Sequence, residues 1–125
     1  MMENNRVLIV SDDSKRRKFI EYGIIRYNLD PVSYPNFLSV RKALQLDPFR
    51  LVIVDMQMPI EQKLALVEEA VKSQKDAMIL TIEKKQYLDS VGFLSSHPSI
   101  ISLESIATFP DTLKDIMKKA DTITE

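Results

Sequence analysis

Short apolar runs alternate with amphipathic stretches along the whole chain. The first run, VLIV at 7–10, leads into the acidic turn SDDS. KRRKFIEYGIIRYNL follows, where Phe19, Ile20, Tyr22, Ile24, Ile25 and Leu29 supply a helical apolar face and Ser14 is the expected cap. A weaker strand is expected at PVSY. SVRKALQLD then reads as a helix carrying Val40, Ala43, Leu44 and Leu46, stopped by Asp47-Pro48. FRLVIVD, ending at Asp55, is the most strand-like segment. KLALVEEAVKSQ places Leu64, Val67, Ala70 and Val71 at helical spacing, and AMILT is a fourth strand. KKQYLDSVGFLSS predicts a helix closed near His97-Pro98, SIISL a fifth strand, and PDTLKDIMKKADTI a last helix with Pro110 in its first turn.

Five apolar strands separated by helical patterns imply parallel βαβ units with helices on both faces, a doubly wound α/β domain. The 125 residues fit one domain, 1–125, with 121–125 expected to fray. Hydrophobic residues at 45%, charged residues at 28% and a net charge of −1 describe an ordinary globular chain with no bulk attraction to nucleic acid or anionic lipid. Cysteine is absent, which removes disulfides and thiolate chemistry, and a cytoplasmic location is expected. With only Gly23 and Gly92, the glycine-rich phosphate loops are missing.

In open α/β sheets the functional crevice lies at the carboxyl ends of the strands. Ser11, Asp12 and Asp13 follow the first run, Asp55 ends the third, Thr81 the fourth, and Leu103, Glu104 and Ser105 the fifth. If strands one and three are neighbours, three carboxylates converge there and repel, so a hard divalent cation such as Mg²⁺ is the natural counter-charge. Asp55 is then a candidate nucleophile toward a phosphoryl group.

With RVLIVSDDS at the first strand, LVIVDMQMP at the third and MILT followed by EKK at the fourth, the chain resembles the receiver domain of bacterial two-component response regulators over nearly its whole length. The resemblance implies a flavodoxin-like five-stranded parallel sheet in the order 2-1-3-4-5, and a phosphoacceptor at Asp55. It further implies Mg²⁺ held by Asp13, Asp55 and the Gln57 backbone carbonyl, Asp12 acting through water, and Thr81 touching the phosphoryl oxygen. The implied partners are a sensor histidine kinase or phosphotransfer protein and a downstream effector. The effector would meet the face of the fourth helix, fifth strand and fifth helix, around Lys84 to Leu94 and Ile100 to Lys119. Such a domain is a signalling module and not an enzyme, and neither nucleic acid nor membrane is an expected partner.

Four departures stand against that pattern. No lysine occurs between Lys85 and Lys114, where the family carries one at the end of the fifth strand; Ile82 follows Thr81 where a small residue is usual; Lys63 stands where glycine is usual; and no aromatic lies near Ile100. The alternative they raise is a receiver-like interaction module with little or no dependence on phosphorylation. Asp12 and Asp13 have a plainer role as helix-capping carboxylates. His97 reads as a surface residue and KRRK at 15–18 as the solvated start of a helix. A flavin or nucleotide binder is disfavoured because SDDS offers negative charge to a phosphate, and a metal-assisted aspartyl-phosphate hydrolase because there is no cap to enclose a substrate.

Overall fold

Two strands have no exposed face: β1 (Arg6–Ser11) is buried from Val7 onward and β3 (Leu51–Asp55) throughout. Only a sheet covered by helices on both sides can accommodate such strands. The computed structural model describes residues 5–35, 37–55, 59–82, 100–103 and 105–123. It contains a five-stranded parallel sheet ordered β2-β1-β3-β4-β5, with β2 at Asp30–Tyr34, β4 at Met78–Ile82 and β5 at Ile100–Leu103. The fold class and strand order expected from the sequence are those observed. Among the described residues no helix is long and apolar enough to cross a membrane.

Strand pleating divides the core into two layers. Leu8, Val10, Val52, Val54 and Ile79 pack beneath α2 (Phe37–Leu46) and α3 (Ile60–Ser73). Val7, Ile9, Ile53, Leu80 and Ile82 face α1 (Ser14–Ile25) and the last helix, here α4 (Phe109–Ile123), entered through a short 3₁₀ turn at Ile106–Thr108. The helix expected between Lys84 and Ser96, together with His97, lies outside the described residues. Pro31 sits on β2, an edge strand, where a missing N–H is tolerated.

Two local expectations are corrected. Asp13, not Ser14, is the N-cap of α1: its side chain accepts from the Lys15 and Arg16 amides, and a carboxylate there also meets the positive end of the helix dipole. The apolar set of α1 is split: Ile20, Ile24 and Leu29 are buried, whereas Phe19, Tyr22 and Ile25 are 44%, 69% and 54% exposed. Periodicity alone overstated the inward face because those three residues sit on the far side of the cylinder. Leu46 at the end of α2 is likewise exposed. Helix α1 ends at Ile25, and the turn behind it closes at Asn28, whose positive φ of 60° lets the Leu29 amide turn back to the Ile24 carbonyl. Gly23 lets α1 approach α4 closely, since a Cβ there would lie 2.9 Å from the Phe109 ring.

Buried Gln74, just after α3, fastens the connection between α2 and β3. Its Oε1 accepts from the Phe49 amide at 2.8 Å, and its Nε2 donates to the Leu44 and Asp47 carbonyls at 2.7 and 2.6 Å. Glu69 of α3 ties the same two helices at the surface, meeting Arg41 and Gln45 of α2.

Candidate functional site

The parallel register sets Ser11 beside Asp55 at the carboxyl end of the two central strands. Asp55 is 6% exposed and faces α1, because it follows Val54 in a strand whose side chains alternate. A charge buried so deeply needs a partner, and Arg16 supplies it. The guanidinium donates from Nη2 to Oδ1 at 2.6 Å and from Nε to Oδ2 at 2.9 Å, a two-pronged pair across 39 residues of sequence. Ser11 Oγ lies 3.3 Å from Asp55 Oδ2 and also 3.3 Å from the Asp13 carbonyl, so its single proton serves one acceptor at a time. Arg17 closes the corner by donating to the Ser11 carbonyl at 3.0 Å.

The electrostatics follow from this geometry. The hydrogen bond to Asp55 raises the Arg16 pKa, partial burial opposes the rise, and the negative charge of Asp55 adds to it. Asp13 is held below its ordinary value chiefly by the Arg16 amide, with the Lys15 amide and nearby positive charges adding to the effect.

The acidic residues singled out by the sequence therefore occupy separate posts. Asp12 is exposed just beyond β1, Asp13 is exposed and directs Oδ1 into the α1 cap, and Asp55 is buried against Arg16. Among the described residues no group of three or more His, Cys, Asp or Glu stands close enough together to hold a metal. As arranged, the described donors do not fit Mg²⁺. An ion beside Asp55 would share that carboxylate with the Arg16 guanidinium, and charges of +2 and +1 at about 4 Å repel by about 8 kcal/mol at the effective permittivity of a protein surface, which opposes the attraction of the carboxylate for the ion. Gln57, Met56, Met58 and Glu104 lie outside the described residues.

Thr81 is buried on β4 and pairs in register with Val54, so it shares the face toward α2 and α3, opposite to the face Asp55 uses. Ile82 packs into the α1 and α4 layer and Ile100 into the other. Lys63 is only 4% exposed, and its Nζ donates to the Ile82 carbonyl at the end of β4 at 2.9 Å. Neither Arg16 nor Lys63 was legible as a site residue from the sequence. Arg16 lay inside a basic run that reads as solvated, and Lys63 carried only the signal of a cation at a position where glycine was expected.

No protein-family model matches the chain. A curated relative, the response regulator receiver protein CpdR of Brucella abortus, is 27% identical over 77 residues, covering 62% of this chain and 64% of CpdR, somewhat less than two thirds of that protein's length. Among solved structures, a transiently phosphorylated switch of bacterial signal transduction superposes with a TM-score of 0.74 at 19% identity, over 99% of this chain and 100% of the other. The chain has the receiver-domain fold. The response regulator TrrA of Thermotoga maritima, solved in complex with Mg²⁺-BeF, superposes with a TM-score of 0.72 at 23% identity over 92% of this chain and 97% of its own. Within this receiver fold, Asp55 holds the carboxyl end of the central strand, and α1 contributes the group that neutralises it.

Proposed function

We propose that the chain is a receiver-type module of a bacterial two-component pathway that signals through protein contact, with Asp55 serving as one half of an internal ion pair. The observation that carries this reading is the bidentate grip of Arg16 on both oxygens of a buried Asp55. A carboxylate so held has one lone pair on each oxygen engaged and its charge offset, which makes it a weaker nucleophile and a poorer metal ligand. Likeness to CpdR and to the signalling switch supports a place in this class of pathway, with a sensor kinase or phosphotransfer protein on one side and an effector on the other. The effector face expected from the sequence falls partly outside the described residues.

A second reading keeps Asp55 as an Mg²⁺-assisted phosphoacceptor, favoured by its position at the carboxyl end of β3 beside Ser11. Incubation with Mg²⁺ and acetyl phosphate followed by intact mass separates the two. The contact reading expects no adduct in the wild type under conditions that saturate a conventional receiver. One added phosphoryl group that disappears in Asp55→Asn overturns it and restores the phosphoacceptor.

A further inference from the structure

The opposite end of the sheet carries a second concentration of charge. A recess of about 460 Å³ opens there between the start of β1, the turn after α1, the residue before β3 and the middle of α4. Arg50, Lys114 and Lys118 line it, Lys118 already engaged elsewhere, and among the described residues no carboxylate does, although the chain as a whole has 18 acidic residues against 17 basic ones. The side chains of Arg50 and Lys114 have no hydrogen-bond or ion-pair partner among the described residues, and Arg50 is half-buried. Lys114 and Lys118 are one helical turn apart, a spacing at which like charges destabilise a helix. Neither lysine stands in the last turn of α4, so the helix dipole does not offset their charge, and Arg50 enters from a different element.

We propose that this recess binds a small organic phosphate of about mononucleotide size. Its volume falls within the range of small-molecule sites, about 300–1,000 Å³. Arg50 and Lys114 supply charge-assisted donors for a phosphate dianion. The Tyr27 ring and Met117 offer an apolar wall for a flat body, while the Asn5 and Asn28 amides can bond its polar edge. Backbone hydrogen bonds from Asn28 to the Ile25 carbonyl and from Leu29 to the Ile24 carbonyl hold the turn that carries the Asn28 amide. The site lies at the amino ends of the strands, remote from Asp55, and stands whether or not Asp55 is phosphorylated.

Titration of the uniformly ¹⁵N-labelled chain with AMP, inorganic phosphate and adenosine tests the assignment. AMP is expected to produce saturable amide shifts centred on Asn28, Arg50 and Lys114, with inorganic phosphate weaker at the same amides and adenosine silent. Arg50→Ala should weaken AMP binding by about tenfold, the loss of one charge-assisted hydrogen bond. Lys114→Ala, on an exposed position that leaves packing intact, should weaken it by a smaller factor. Absence of saturable shifts overturns the proposal, as do shifts that NaCl reproduces at equal ionic strength. Affinity untouched by Lys114→Ala and Arg50→Ala also overturns it, and inorganic phosphate binding as tightly as AMP overturns the organic ligand.

Discussion

Replacing Arg16 by Met keeps much of the side-chain length and removes the charge, leaving the Asp55 carboxylate buried with, among the described residues, only the Ser11 hydroxyl as a partner. Breaking a fully buried ion pair from one side costs about 3–5 kcal/mol. The Arg16 side chain is 37% exposed while that of Asp55 is 5% exposed, so solvent screens one partner and the expected loss falls to about 1–3 kcal/mol. The same substitution removes the cation that repels a metal, so a divalent ion can stabilise the variant by mass action. At a hundred times its dissociation constant, that gain is about 2.7 kcal/mol. Urea unfolding of wild type and Arg16→Met, each with and without millimolar Mg²⁺, measures both effects together. The expected pattern is a weakened variant that Mg²⁺ largely rescues and a wild type that Mg²⁺ does not move. A loss below about 0.5 kcal/mol refutes the claim that Arg16 is the required counter-charge of Asp55, since that is the ordinary scatter of a surface substitution. Equal stabilisation of both proteins by Mg²⁺ refutes the claim that Arg16 excludes the metal.

Three further outcomes are expected. Gln74→Ala leaves the Phe49 amide and the Leu44 and Asp47 carbonyls short of a partner and should lower the urea midpoint by the equivalent of about 2–4 kcal/mol, given about 1–3 kcal/mol per unsatisfied buried group and partial rescue by water. Asp13→Ala should destabilise the protein while Ser14→Ala should not. Because the folded pKa of Asp13 lies below its unfolded value near 3.8, the carboxylate stabilises the fold above that pH. The gap between wild type and Asp13→Ala should therefore close as pH falls through the lowered folded pKa. Gly23→Ala should lose about 1 kcal/mol of stability in spite of the better helix propensity of alanine, since its Cβ meets the ring of fully buried Phe109 at 2.9 Å; a gain in thermal midpoint would show that α1 and α4 separate easily.

Much of the fold was legible because its cause is local. The runs VLIV and LVIV are too apolar to leave a face in water, and their separation by helical patterns demands parallel crossovers, which by themselves require a covered sheet. Asp55 was legible for a similar reason, as a carboxylate closing a strand with no exposed face. The edge strand β2 was the weakest signal because Pro31 and its half-exposed neighbours dilute the pattern.

The partner of Asp55 was decided by tertiary structure alone. Within KRRK nothing distinguishes Arg16 from its neighbours, and all four side chains look solvated. The angle at which α1 packs across β1 and β3 turns two of them, Arg16 and Arg17, inward over the carboxyl end of the sheet. The same packing exposes Phe19 and Tyr22, which helical spacing grouped with the core, and fits Gly23 against Phe109. Gln74 and Lys63 belong to the same class, as polar residues whose value lies in backbone groups 19 to 30 positions away. Hydrophobic periodicity fixes which elements form, because burial is proportional to apolar area and blind to direction. Hydrogen bonds and ion pairs depend on a few tenths of an ångström and a few tens of degrees, and only the assembled helices and sheet supply those.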